Sequence, residues 1–99
     1  MIFYIDTTDF NKVTFAVADK KIIKRTYKID PHQSQETLAK LDEFLKDSKV
    51  KQSEIKKIIV NKGPGSYTGV RVGVTHALAL GFAWNIPVEP LAKEQFMIK

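Results

Sequence analysis

The strongest constraint in this sequence is the apolar segment Gly69–Trp84, which reads GVRVGVTHALALGFAW. Beyond Arg71, its only polar residues are Thr75 and His76. The segment has the length of a helix, and the Asn-Ile-Pro sequence that follows it predicts where the helix ends. A helix that is apolar all round must be covered on every side, whereas one sheet covers only one face. We therefore expect part of this helix to need a neighbour.

Small residues recur at every fourth position of the predicted helix, at Gly69, Gly73, Ala77 and Gly81. Residues spaced in this way lie on one face and form a flat stripe that lets another backbone approach closely. The neighbour could be the sheet or the first helix of the same chain, or it could be another protein. Large side chains such as Leu78 and Phe82 each contribute about 1.5–3 kcal/mol when buried. We predict that a second chain docks on the stripe and covers what the sheet cannot reach.

The segments before this helix predict strands and one further helix. MIFYID, KVTFAVAD and KIIKRTYKI are rich in β-branched and aromatic residues and predict an antiparallel meander with a tight turn at Asp19–Lys21. DPHQSQETLAKLDEFLKD places Leu38, Leu41 and Leu45 on one face of an amphipathic helix. Its predicted cap is Asp30, with Pro31 as the first and Gln33 as the third helical residue, and Ser34 is an alternative cap.

The remaining segments complete an α/β domain. IKKIIVN predicts a central parallel strand, VEPL predicts a short last strand, and AKEQFMIK begins like a helix. The order β-β-β-α-β-α predicts a mixed sheet in which a helical crossover adds a parallel strand to the meander. This is the order found in one half of RNase H-like and actin-like ATPase (ASKHA) folds. We predict a single domain over residues 1–99.

The loop before the apolar helix reads NKGPGSYTGVRVG, and it lacks the signatures of known phosphate loops. A P-loop needs a lysine followed by Ser or Thr where this chain has Thr68-Gly69-Val70, and the glycine spacing does not fit a dinucleotide fingerprint. The flanking glycines also fail to make Ser66 a nucleophile elbow. Two interpretations remain: an anion site at the helix N-terminus, and a structural turn with Ser66 or Thr68 as the cap, which we favour. The candidate loop residues are Gly63, Pro64, Gly65, Ser66 and Thr68.

Acidic residues and histidines offer weaker alternatives. The DTTD sequence that begins at Asp6 could hold phosphate or Mg²⁺, or it could form a polar hairpin turn, which we favour. A two-metal nuclease needs carboxylates at adjacent strand ends, but the fourth predicted strand ends in neutral Asn61, so that Glu36 or Glu43 would have to contribute. The two histidines lack helix-spaced partners, which argues against a histidine metal site.

Charge and cysteine content limit the function classes only broadly. The formal net charge is +5, with lysines clustered between residues 20 and 28 and again between residues 49 and 62. This pattern fits a solvated surface, which we favour, or a patch that faces nucleic acid. The chain has no cysteine, which excludes disulfides and thiolate catalysis. Without a recognisable signal peptide or membrane span, a cytoplasmic location is expected.

Several of these segments together resemble the bacterial TsaB (YeaZ) family. The resemblance is carried by YIDTT in the first strand, PHQSQETL at the first helix and VNKGPGSYTGVRVGVTHALAL. The later segment GFAWNIPVEPL fits as well, so the match runs from end to end. The resemblance implies an ASKHA fold and a role in making threonylcarbamoyladenosine beside the anticodon of ANN-decoding tRNAs. It also implies a single N-terminal lobe in this chain, because family members continue into a second lobe that is expected to be absent here.

The resemblance further implies a partner. TsaB proteins are non-catalytic subunits, with no cofactor of their own, that pair with TsaD, which carries the metal and transfers the threonylcarbamoyl group; the ATPase TsaE joins them, and contact with tRNA is indirect. The pairing surface is built from the first two helices, here from about Pro31 to Lys46 and from about Gly69 to Trp84, and it can also join two copies. The residues implied in pairing are His32, Leu38, Gly69, Val70, Arg71, Gly73, Val74, Ala77, Leu78 and Gly81.

One alternative function stays open at this point. The chain could act as an independent ASKHA-type ATPase or phosphotransferase that uses Asp6 and the glycine loop.

Overall fold

A computed structural model describes residues 1–30 and 35–96. The chain forms five strands and two α-helices, in the predicted order with the short last strand added. The strands are β1 (Ile2–Asp6), β2 (Lys12–Ala18), β3 (Ile22–Lys28), β4 (Lys57–Asn61) and β5 (Val88–Leu91), and the helices are α1 (Gln35–Asp47) and α2 (Tyr67–Trp84). His32 and the predicted start of the first helix, Pro31 to Ser34, lie outside the described residues.

The strands form one mixed sheet in the order β3-β2-β1-β4-β5. β1 pairs with β2, and β2 with β3, in antiparallel register, whereas β4 is parallel to both β1 and β5. The turn between β2 and β3 lies at Asp19–Lys21, as predicted, where the Asp19 N–H donates to the Lys21 carbonyl at 3.1 Å. The meander extended by parallel strands is therefore confirmed.

Both helices pack on the same face of this sheet, because alternate strand residues present aromatic and branched side chains there. The Phe3 ring of β1 stacks on Phe15 at 5.8 Å and on Phe44 of α1 at 6.0 Å between ring centroids, and Trp84 of α2 lies 6.4 Å away. Phe3, Phe15 and Phe44 are completely buried. One core thus lies between the sheet and the two helices.

The ends of α2 follow local sequence signals. The helix begins at Tyr67, two residues before the predicted start at Gly69, because Ser66 caps it. It ends where Asn85 adopts the left-handed conformation (φ 57°) and its N–H bonds to carbonyls of the last turn, as predicted from the Asn-Ile-Pro sequence. After β5, residues 92–96 form one turn in which the Phe96 N–H donates to the Ala92 carbonyl. Within the described residues, no helix is both long and apolar enough to cross a bilayer.

Candidate functional site

The glycine loop between β4 and α2 is held by hydrogen bonds within the chain. The Gly63 N–H donates to the Asn61 side-chain oxygen at 2.9 Å, and Gly63 has a φ of +97°, a conformation that favours glycine. The Ser66 N–H donates to the Thr8 carbonyl at 2.8 Å, and the Ser66 hydroxyl accepts from the Gly69 N–H at 3.2 Å. The amides of Gly63, Ser66 and Gly69 are therefore bonded within the chain, which supports the structural-turn interpretation.

The loop also fixes the start of α2 on the end of β1. The Thr7 hydroxyl donates to the Gly69 carbonyl at 2.6 Å, and Thr7 is only 2% exposed. A β-carbon at position 65 would lie 2.6 Å from the Thr8 β-carbon, and one at position 69 would overlap the Thr7 carbonyl. Since real β-carbons are not found at such distances, glycine is required where the loop and the first turn of α2 pass over β1.

The small-residue stripe of α2 faces the chain's own sheet. Gly73, Ala77 and Gly81 are buried; a β-carbon on Gly73 would overlap the Thr7 hydroxyl, and one on Gly81 would overlap the Val88 side chain. The prediction that this stripe admits a second chain is wrong for these three residues and for Gly69, which packs on Thr7. Their role is to let α2 lie close to β1 and β5.

The opposite side of α2 is exposed and largely apolar. We call it the outer ridge; it comprises Tyr67, Arg71, Thr75, Leu78 and Phe82, which follow one another at intervals of three or four residues. Tyr67 is 73% exposed, Leu78 52% and Phe82 91%. The Arg71 guanidinium lies over the Tyr67 ring, 5.5 Å from its centroid, and donates to the Tyr67 hydroxyl at 3.3 Å. The helix therefore leaves an apolar surface that its own sheet does not cover.

Leu38 lies on the flank of α1 that faces away from β3. The Lys40 ammonium lies over the Tyr27 ring of β3, 5.9 Å from its centroid. The flank of α1 that carries Lys40 therefore faces the β3 edge. Leu38 and Leu45 occupy the opposite flank by helical spacing. Leu38 is 41% exposed, so α1 adds an exposed apolar side chain to those of the outer ridge on the helical face of the domain.

An open cavity of about 350 Å³ borders the outer ridge. It is lined by Tyr67, Thr68, Arg71, Val72, Thr75 and His76. The His76 Nε2 is buried, and it has no hydrogen-bond partner within the described part of the chain. Buried polar atoms are nearly always bonded to protein or to ordered water.

Of the other implied pairing residues, Val70 and Val74 are half-buried on the flank of α2 and continue the apolar surface toward the core. The sequence interpretation missed Tyr67 and Phe82 as surface residues. The stripe of small residues could have predicted their exposure. If the small residues face the sheet, helical periodicity places Tyr67 and Phe82 on the solvent side of α2.

A second cavity, of about 270 Å³, lies on the sheet face away from the helices. Asp6 and Asn61 meet there, at the carboxyl ends of β1 and β4, with Lys24 and Lys93 among the other lining residues. One Asp6 carboxylate oxygen accepts from both the N–H (2.9 Å) and the hydroxyl (2.7 Å) of Thr8. The DTTD sequence thus forms a polar turn, as favoured.

The cap at Ser66 gives a direct test of the loop. Replacing Ser66 with Ala removes the acceptor for the Gly69 N–H, and we expect a loss of about 1 kcal/mol in the free energy of unfolding. Thr68→Ala, at the other predicted cap, is the matched control and should change the stability by less than about 0.5 kcal/mol. Urea denaturation measures both; equal losses would contradict the assignment of the cap to Ser66.

Comparisons with known proteins agree with this architecture. The family model described as "TsaD: tRNA N6-adenosine threonylcarbamoyltransferase" matches residues 21–98. The chain is 32% identical to the tRNA threonylcarbamoyladenosine biosynthesis protein TsaB of Bacillus subtilis over 92% of this chain and 40% of that protein. It is 37% identical to a tRNA N6-adenosine threonylcarbamoyltransferase of Staphylococcus epidermidis over 61% of this chain and 18% of that one.

Among solved structures, a Pseudomonas aeruginosa protein described as similar to peptidase YEAZ superposes with a TM-score of 0.80 at 25% identity, over 92% of this chain and 42% of that chain. The predicted RNase H-like, ASKHA-type fold is confirmed. The resemblance to TsaB (YeaZ) is confirmed as well. The chain spans about two-fifths of the length of the Bacillus subtilis TsaB and of the Pseudomonas aeruginosa protein.

Proposed function

Because the chain belongs to the TsaD family and is similar to TsaB over most of its length, we propose that it is a non-catalytic subunit in the biosynthesis of threonylcarbamoyladenosine on tRNA. Its role is to pair with a TsaD-like protein through the helical face of its sheet. A TsaE-like ATPase joins this pair, and two copies of the chain can use the same surface when the partner is absent.

The observation that carries the proposal is the exposed outer ridge. Phe82 and Leu78 are four residues apart on one helix, and both lie in water. Large exposed apolar side chains grouped on one surface are typical of protein interfaces, and aromatic side chains with an arginine are typical of the residues that dominate binding energy. Tyr67, Phe82 and Arg71 supply that composition.

A TsaD-like partner is favoured because the chain matches TsaB and TsaD sequences alike. A partner of the same fold presents an equivalent second helix, and two such helices can pack in a pseudo-symmetric arrangement, as in isologous dimers. The buried His76 Nε2 beside the outer ridge, which has no hydrogen-bond partner among residues 1–30 and 35–96, adds a polar position at which the partner can bond.

A non-catalytic role is supported by the hydrogen bonds of Asp6 and the glycine loop, the groups that an ATPase would use to bind phosphate. The loop amides are bonded to Asn61, Thr8 and Ser66, and an Asp6 oxygen is bonded to Thr8. These groups serve the folding of the β1 end and the α2 start, and a phosphate would have to displace them. We assign the chemistry to the partner.

The test is reconstitution with a TsaD-like protein from the same organism. Light scattering of the mixture should give the mass of a one-to-one pair or its dimer, and threonylcarbamoyladenosine should form on tRNA only when both proteins and the TsaE-like ATPase are present. Mass measurement of each protein alone is the control. ATP turnover by the isolated chain that is lost in Asp6→Ala would instead establish the independent enzyme.

A further inference from the structure

The β2–β3 hairpin, residues 12–28, carries an unusual concentration of positive charge. We call it the basic hairpin. Its exposed cations are Lys12, Lys20, Lys21, Lys24, Arg25 and Lys28, whereas Asp19 is its only acid. Among the described residues, the ion pairs involve Lys40, Lys46 and Lys57, and none of them neutralises a cation of the hairpin.

The register of the two strands places like charges opposite each other. Lys12 of β2 pairs directly with Lys28 of β3, and both side chains lie on the sheet face away from the helices, since their neighbours Val13 and Tyr27 pack against the core. Like charges at directly opposite positions destabilise a sheet. Lysines on an edge strand such as β3 can serve to block pairing with other sheets. Lys12 lies beyond Thr14, the last β2 residue that pairs with β1, so its paired neighbour is β3.

The same face extends the charge along the sheet. Lys24 lies four residues before Lys28, about 13 Å along the strand, and it lines the cavity of the open face with Lys93. Between Lys24 and Lys28 the face carries the small side chains of Thr14 and Thr26, whose hydroxyls are 2.9 Å apart, whereas Phe96 lines the cavity with Lys93. Asp6 also lines this cavity, with one carboxylate oxygen bonded to Thr8.

We infer that the basic hairpin binds the phosphate backbone of the tRNA directly, through Lys12, Lys24 and Lys28 on the open sheet face. A row of cations spaced to reach different phosphates, with threonine hydroxyls between them, fits a polyanion whose backbone crosses a flat surface. The anion relieves the repulsion between Lys12 and Lys28 that the fold otherwise maintains. The inference rests on the proposed function for the identity of the RNA.

The test is fluorescence anisotropy with a labelled tRNA transcript across a salt series, using the chain alone and its complex with the TsaD-like protein. Lys12→Glu/Lys28→Glu keeps a like-charged pair in the sheet and should weaken tRNA binding about tenfold or more at low salt. The salt dependence should become shallower by about 0.9 for each phosphate that the variant no longer neutralises. The control is Lys51→Glu/Lys56→Glu, which changes the net charge by the same amount as Lys12→Glu/Lys28→Glu but lies outside the basic hairpin. Equal weakening in the two variants would overturn the inference.

The single variant Lys12→Glu separates a structural role from a binding role. It creates a cross-strand ion pair with Lys28, so thermal unfolding should occur at a higher temperature while tRNA binding becomes weaker. A higher melting temperature with unchanged tRNA binding would overturn the inference. Pairing of the wild-type chain with the TsaD-like protein is measured separately by light scattering. If the chain does not pair but the hairpin variants still lose tRNA binding, the proposed function is refuted and the basic hairpin remains an RNA site.

Discussion

Gly73→Leu is expected to lower the free energy of unfolding and the melting temperature severely. Gly73 lies against the Thr7 side chain, where even a β-carbon would overlap the Thr7 hydroxyl and would approach both other side-chain carbons at 3.1 Å. Thr7 cannot move aside, because it is buried and its hydroxyl is bonded to the Gly69 carbonyl. A leucine would therefore lift α2 from β1 and expose the core beneath Ala77. The cost should lie well above the about 1–3 kcal/mol usual for overpacking, which is a large share of a total stability of about 5–15 kcal/mol.

Circular dichroism with thermal denaturation measures this result. Thr75→Leu introduces the same side chain on the outer ridge of the same helix, and it should fold as the wild type does. A folded Gly73→Leu protein that had lost only its partner would restore the interpretation of the stripe as a docking surface.

A smaller change at the same position tests the packing of Gly73 on Thr7. Gly73→Ala should destabilise the fold by about 1–3 kcal/mol despite the better helix propensity of alanine. Adding Thr7→Ala removes the overlapping hydroxyl, so the double variant should be more stable than the sum of the two single changes predicts. Strict additivity would show that Thr7 does not limit the packing of α2.

Phe82→Lys is expected to abolish pairing with the TsaD-like protein while leaving the fold intact. Phe82 is 91% exposed, so its loss costs the isolated domain little, and lysine is favourable near a helix C-terminus. In a complex, a central aromatic side chain typically contributes about 2–4 kcal/mol, which corresponds to a dissociation constant about 30- to 1,000-fold higher. Titration calorimetry measures the affinity, and thermal denaturation checks the fold.

Ile22→Lys is the matched control for Phe82→Lys. Ile22 is also an exposed apolar residue, at 48%, but it lies on β3 at the far edge of the sheet from α2. It should leave pairing unchanged. If Ile22→Lys weakened the complex as much as Phe82→Lys did, added charge rather than the outer ridge would explain the loss.

The sheet could be predicted from the sequence because its signals are local. The strands MIFYID and KVTFAVAD are marked by β-branched and aromatic residues, and Asn85 ends α2 through its own backbone conformation. Ser66 was one of two caps that the sequence left open, since either hydroxyl could reach a free amide. Geometry selected Ser66 because its hydroxyl accepts from the Gly69 N–H.

The sequence could not predict which face of α2 packs on the sheet, because the helix is nearly as apolar on one side as on the other. A stripe of glycine and alanine suits any close neighbour, and the sequence alone does not say whether that neighbour is a sheet or a partner helix. In the fold the sheet occupies the stripe, since Thr7 and Val88 lie where larger side chains would collide with them. Phe82, which the sequence suggested as a buried residue, is consequently the most exposed of the large apolar side chains described.

The sequence by itself determined the element order, the C-terminal end of α2 and the existence of an apolar surface in excess of what one sheet covers. Tertiary structure decided which surface that is, and it paired Lys12 with Lys28 across two strands. Local signals depend on residues a few positions apart, whereas the rotation of a helix and the register of a strand depend on contacts between residues far apart in the chain, such as Thr7 with Gly73.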